Sequence, residues 1–340
     1  MRRASTRLAT ASDSVTIRDV AARAGVSVAT VSRVFNRKGP IRPATYQRVL
    51  AVAERMRYSP HAAARSLSTS RTNTIGVVLP ELHGEFFSEV IRGIDVTARS
   101  RGYHLIVSGS HSDRAEMRAV FQAVRGRVDG LIVMSPDLDA STLLADLPGG
   151  VPVVLLNATA DGRPAITIDN AGGARAVTRH LIKLGHRRIA FICGPPKNGD
   201  AAQRRRGYRA AIRAAGIDDA LEFPGNFTEE SGYEAARRIV ERSPRPTAVF
   251  AANDAMAIGA LSAFNARGVR VPADIALAGF DDIPIARFLS PPLTTVKVPI
   301  AELGRRSLEL VLNPSPRKVN EVLKTTLTVR QSCGSEEESR

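Results

Sequence analysis

The sequence predicts two kinds of fold in one chain: a small all-α helix-turn-helix head with a hinge helix, then a two-lobed α/β body on parallel sheets. Three observations predict it. Residues 15–67 hold three short amphipathic segments separated by turn residues. From Thr74 onward, short β-rich apolar runs alternate with helical ones, the pattern of parallel sheets flanked by helices. That alternation falls into two similar halves, before and after about residue 168, which implies two lobes with a cleft at the C-terminal ends of their strands.

The head is legible residue by residue. Ile17, Val20, Ala21 and Ala24 follow the i, i+3, i+4, i+7 spacing of one helix face. Thr16 can cap that helix, with Asp19 favouring the dipole, and Gly25 can take the positive φ of a tight turn. Ser27 caps a second helix, VATVSRVFN, that turns Val31, Val34 and Phe35 inward. Pro43 opens a third, expected to bury Tyr46, Val49, Leu50 and Ala53. A turn of this length between two short helices is what a helix-turn-helix requires. The outer face of the second helix then meets a major groove. Val28 and Ala29 offer only apolar contact to bases, and Ser27, Thr30, Ser32 and Asn36 suit phosphates. Arg33 has two readings, a guanine edge or a phosphate.

Charge agrees with that partner. Residues 1–71 hold thirteen Arg and Lys38 against Asp13, Asp19 and Glu54, a net +11, while the remaining 269 residues carry +4 of the total +15. A polyanion partner and a solvated basic face both fit the charge alone, and the motif decides between them. Length allows about two or three domains. Cys193 and Cys333 form no disulfide framework or zinc spacing, and Cys193 in RRIAFICG reads as a buried thiol. The basic N-terminus lacks the apolar core of a secretory signal, and no apolar run approaches the ~20 residues of a membrane helix. The expected location is the cytoplasm, with no membrane partner.

The motif T-I-x-D-V-A-x-x-A-G-V-S-x-x-T-V-S-R-V-x-N, Thr16 to Asn36, resembles the head of the lactose/galactose-repressor (LacI/GalR) family, and Y-S-P-H-A-A-A-R-S-L, Tyr58 to Leu67, is similar to that family's hinge helix. The pair Val28–Ala29 resembles the galactose-repressor branch. The resemblance implies a homodimer on a pseudo-palindromic double-stranded operator at the bacterial nucleoid. DNA contacts would also come from Thr16, Arg18, Ala64 and Arg65, and Leu67 would wedge into a central base step from the minor groove. A core leucine is the other reading of Leu67. His61 stands where the family often has Asn, which leaves its contact open.

The body's markers LGHRRIAFICGP, RRRGY, FAANDAMAIGA, GFDD and PPLTTVKVP resemble the same family's type I periplasmic-binding-protein-like fold, over about residues 16–330 together with the head. Implied boundaries are an arm at 1–14, the head at 15–58, hinge and linker at 59–73, and an effector-binding and dimerisation domain at 74–335. Its first lobe takes about 74–168 and 300–327, its second about 169–298 and 328–335, with a tail at 336–340. That tail has no leucine heptad, which favours a dimer over a tetramer. The implied effector site comprises Arg204 as the ligand clamp, Phe227 as a stacking ring, and Asn253 and Asp281 as hydroxyl partners. Phe86, Phe87, Asn157 and Val298 complete the lining.

Each residue keeps a structural alternative: Arg204 a solvated helix face, Phe227 core, Asp282 a turn, His186 strand entry. Adjacent Phe86 and Phe87 cannot both face one way. Aromatics and paired polar groups suit a carbohydrate, or a nucleoside acting as corepressor. A free sugar-binding module is the rival from another class. With no G-x-S-x-G, metal cluster or phosphate loop, neither an enzyme nor a cofactor is expected.

Overall fold

The computed structural model describes residues 15–36, 39–58, 71–137, 145–218, 220–314 and 319–334. It divides into two compact units, Met1–Thr72 and Asn73–Arg340. The expected hinge with His61, Ala64, Arg65 and Leu67, the arm at 1–14, the tail, and most of a helix expected near 140–147 lie outside the described residues.

The head is three helices, α1 (Ile17–Ala24), α2 (Val28–Asn36) and α3 (Pro43–Arg55). Thr16 and Asp19 form a capping box: Thr16 N donates to Asp19 Oδ2 at 2.8 Å and Asp19 N to Thr16 Oγ1 at 3.4 Å. Gly25 takes φ 61°, and Thr30 N donates to Ser27 Oγ at 3.2 Å. Val20, Val31 and Val49 are fully buried at the centre, with Phe35 and Tyr58 edge-on at 5.6 Å. One detail differs from expectation: α3 buries Val49, Val52 and Ala53, while Tyr46 and Leu50 are half-buried. Tyr46 and Leu50 still pack against that core, from its edge.

The body begins with β1 (Thr74–Leu79), α4 (Glu85–Ser100), β2 (His104–Gly109), α5 (Arg114–Val124), β3 (Gly130–Met134), β4 (Val153–Leu156) and β5 (Ala165–Ile168). It continues with α6 (Asn170–Lys183), β6 (Ile189–Ile192), α7 (Gly199–Ala214), β7 (Leu221–Phe223), α8 (Glu229–Glu241), β8 (Ala248–Ala251), α9 (Asp254–Ala266) and β9 (Ala276–Asp281). After a 3-10 turn at Pro284–Phe288 come β10 (Thr294–Lys297), α10 (Ile300–Leu312), β11 (Asn320–Leu323) and β12 (Thr326–Thr328). Two six-stranded sheets result, ordered β11-β5-β4-β3-β1-β2 and β12-β10-β9-β8-β6-β7. All pairings are parallel except β10 with β12. The central strands β3, β4, β6 and β8 are buried along their whole length, as strands covered on both faces must be.

The chain passes between lobes three times, after β5, between β10 and α10, and between β11 and β12. The last passage comes after Leu323, so β12 joins the second sheet two residues before the expected boundary at 328. The cause is the antiparallel register of Thr326 with Lys297, which needs only a two-residue connection from β11. No helix among the described residues is long and apolar enough to cross a membrane.

Candidate functional sites: the reading helix and the interlobe cleft

On α2, Val28, Ala29 and Arg33 are exposed, and Ser27, also exposed, precedes the helix. Val28 is 41% exposed. The short polar residues bond to each other, Ser27 Oγ with Thr30 Oγ1 at 2.9 Å and Asn36 Nδ2 with Ser32 Oγ at 3.2 Å. That leaves Val28, Ala29 and Arg33 as the outward surface of α2. Arg18 is exposed on α1, and Thr16 spends its hydroxyl on Asp19 at 2.7 Å.

In the body, the polar residues gather at the C-terminal ends of strands. Asn157 follows β4, Asn253 follows β8, Asp281 ends β9, and Phe227 precedes α8. Three of the four take positive φ: Asn157 53°, Phe227 73° and Asp281 115°, with Asp282 at 56° beside them. Non-glycine residues at such angles carry strain that the surrounding packing must hold.

Arg204 is the hub. Only 4% exposed, it donates from Nε to Asn170 Oδ1 at 2.8 Å and from Nη1 to the Ala252 carbonyl at 2.6 Å. Its Nη2 lies 3.0 Å from Asp281 Oδ1, an ion pair out of line for a hydrogen bond. The guanidinium also stacks 3.9 Å over the Phe280 ring and 5.6 Å from that of Phe227. Asn170 passes the chain on, donating to Asp200 Oδ1 at 2.8 Å.

Two carboxylates, Asp200 and Asp281, share this buried cation, and a third, Asp254, lies beside Asp281. Burial pushes Asp200 up to about 6 and Asp281 up to about 6, with Arg204 opposing both shifts. Asp254, wholly buried, is raised further by burial and by the neighbouring Asp281. Its acceptors are engaged by Thr295 Oγ1 at 2.6 Å and Ile283 N at 2.9 Å. Gly279 is what makes room, since a Cβ there would sit 2.2 Å from Asp254 Oδ1. Among the described residues, the buried side-chain polar atoms without a hydrogen-bond partner are Asn157 Oδ1 and Asp281 Oδ1.

The structure therefore brings Arg204, Phe227 and Asp281 together, with Asn253 beside them. Asn253 is already committed, capping α9 through Met256 N at 3.0 Å and donating to the Phe227 carbonyl at 3.0 Å. Phe86 and Phe87 meet edge-on at 89° and pack partly against the core, as adjacency requires. Val298 is 4% exposed and donates its N–H to the Asp281 carbonyl, so it backs the site. Asp282, expected to cap or turn, follows β9 at φ 56° and pairs with Arg330 at 2.6 Å. His186 bonds Thr247 at strand entry, as its structural reading holds, and burial raises the Cys193 thiol to about 11.

Asn170, Asp200 and Asp254 were not singled out in the sequence. Each stands in the first turn of a helix, where polar residues are ordinary, and only burial marks them. Contacts between the lobes flank the cleft: Asn198 Nδ2 to Asp137 Oδ1 at 2.9 Å, Gly199 N to the Pro136 carbonyl at 2.9 Å, and Ile285 N to Glu85 Oε2 at 3.0 Å.

Comparison with known proteins covers both units. Residues 16–61 match the model of bacterial regulatory proteins, lacI family, and residues 178–333 that of the periplasmic binding protein-like domain. The HTH-type transcriptional regulator GalR of Escherichia coli K12 is 37% identical over 333 residues, 94% of this chain and 96% of the relative. The ribose operon repressor of the same organism is 38% identical over 305 residues, 88% of this chain and 92% of the relative. Among solved structures, the lac repressor dimer bound to operator and the anti-inducer ONPF superposes with a TM-score of 0.86 at 31% identity, covering 94% of this chain and 99% of that one. The CelR–cellobiose complex gives a TM-score of 0.69 at 34% identity, with coverage of 94% and 99%.

Proposed function

The chain belongs to the lacI family of bacterial regulatory proteins, and from that premise we propose a homodimeric repressor whose hold on a pseudo-palindromic operator is set by a small carbohydrate in the interlobe cleft. It is a DNA-binding transcriptional regulator acting in the cytoplasm, at the nucleoid. The head reads bases with Val28, Ala29 and Arg33 and grips phosphates with Thr16, Arg18, Ser27, Thr30, Ser32 and Asn36.

One observation carries the carbohydrate reading: among the described residues, the buried side-chain oxygens that accept no hydrogen bond, Asn157 Oδ1 and the Arg204-paired Asp281 Oδ1, are both acceptors, one from each lobe. Sugar hydroxyls are donors in the geometry that satisfies them, and the ring's C–H face suits Phe227. Arg204 is committed to Asn170, Ala252 and Asp281, so the site holds buried negative charge that disfavours an anionic ligand. A ligand that donates to both lobes favours one lobe arrangement over the other, which is the differential contact that regulation requires. The relatives are regulators, and turnover of the ligand forms no part of this reading.

The test selects bound duplexes from a random pool at about 150 mM salt, where non-specific electrostatic binding is weak, and titrates the recovered duplex with neutral sugars, phosphosugars and nucleobases. A palindrome whose affinity shifts about 5–150-fold with one neutral sugar is expected. No consensus sinks the operator reading. A consensus that responds only to a nucleobase or a phosphosugar sinks the carbohydrate one.

A further inference from the structure

Residues 170–216 hold eleven Arg and Lys against one acidic residue, Asp200, although the whole chain beyond residue 71 nets only +4. The stretch spans α6 and α7, which pack so closely that a Cβ on Gly207 would sit 2.3 Å from the Ala171 carbonyl oxygen. Their inner faces are buried; outward, α6 presents Arg175, Arg179 and Lys183 at four-residue spacing, and α7 presents Arg206 and Arg213. Successive charges at that spacing stand about 6 Å apart along an axis.

On α4 and α10 the arginines are neutralised within a turn: Arg92 with Glu89 and Arg99 with Asp95 on α4, and Arg305 with Glu302 on α10. On this face Glu222 neutralises Arg205 and Arg209. Arg175, Arg179, Lys183, Arg206 and Arg213 have no carboxylate partner among the described residues. Like charges at i, i+4 weaken a helix, so these rows cost stability unless an anion covers them.

We infer that the outer face of α6 and α7 is a second, sequence-independent contact for the phosphate backbone of duplex DNA. The occupant follows from charge complementarity: rows of unneutralised cations match a polyanion, and the chain's own head keeps duplex DNA at high local concentration. The inference rests on the head being a DNA reader and goes beyond it, because no base is read here. The contact adds affinity for DNA near any site the head occupies, and it vanishes with salt.

The test uses the full chain and a mixed-sequence duplex of about 150 base pairs, with binding followed from about 50 to 300 mM salt. Charge reversal at Arg175, Arg179, Arg206 and Arg213 is compared with the same reversal at exposed Arg101, Arg125, Arg127 and Arg238, which leaves the face intact. The slope of log affinity against log salt should flatten by about 3 to 4 for each face engaged, at about 0.9 per lost phosphate contact, in the first variant only. Glutamine at the same four positions should give the same flattening and serves if reversal unfolds the chain. Equal slopes in both variants overturn the inference. So does a face variant that keeps its duplex slope and loses binding to single-stranded RNA. A wild-type chain that binds no duplex overturns the head's reading as well.

Discussion

The first five strands of the two lobes run in the same spatial order, β5-β4-β3-β1-β2 in one and β10-β9-β8-β6-β7 in the other, but the lobes bury different things. Among the described residues, the buried polar side chains of the first are Ser110, Ser135, Asn157 and Ser307, none of them charged. The second buries Asp200, Arg204, Asp254 and Asp281. One wiring therefore supports an apolar lobe and a lobe with a charged seam at its strand ends. Burying charges is costly unless they are paired, so the second lobe gives up stability to hold the polar half of the site, while the first supplies chiefly Asn157 and a closing surface.

The largest expected effect breaks that seam. Arg204→Ala leaves Asp281 and Asp200 buried without their cation and should cost about 3–5 kcal/mol in urea unfolding. Asn157→Ala, its counterpart in the first lobe, removes an uncharged amide whose oxygen lacks a hydrogen-bond partner and whose side chain bonds Asp200, and should cost about 1–2 kcal/mol. Equal costs for the two would end the distinction between the lobes.

Helix packing should show no such contrast. A Cβ on Gly93 would lie 2.0 Å from the Ala301 carbonyl oxygen in the first lobe, and one on Gly259 1.8 Å from that of Glu229 in the second. Both Gly→Ala changes force backbone apart and should cost a similar amount, about 1–3 kcal/mol each. A large difference would mean that the lobes differ in packing as well as in buried charge.

An effect smaller than loss of the Arg204 cation is expected with pH. Asp200 and Asp281 have folded values near 6, above the ordinary 3.8, so between about pH 4 and 6 the folded chain binds more protons than the unfolded one. Their contribution to stability is present below that window and lost as pH rises through about 6. The unfolding midpoint of the body should rise between pH 7 and 5, and Asp281→Asn should flatten the rise. A midpoint that falls instead, with no change on substitution, would place the titrating groups elsewhere.

The head and the doubly wound body were legible because apolar periodicity fixes helix faces and strand runs locally, and Thr16, Gly25 and Ser27 carry their turn chemistry in their own side chains. The strands β5 and β7 were not, because Ala165–Ile168 and Leu221–Phe223 are short runs with no longer apolar stretch around them, unlike β4, β6 and β8. Asn253 and Asp281 were legible as strand-end residues and stand there, whereas Phe227 came from the resemblance alone and stands just before α8. Arg204 was foreseen as a ligand clamp, and its engagement with Asn170 and Ala252 was not.

By itself, then, the sequence determined the order of elements, the outward surface of α2 and the positions from which a cleft is built, since each depends on neighbours a few residues apart. Only the tertiary structure decided which side chains share one cation. Asn170, Asp200, Arg204, Ala252 and Asp281 meet across separations of up to 111 positions, and whether a carboxylate there is an exposed cap or a buried charge depends on water, which only the packed fold excludes.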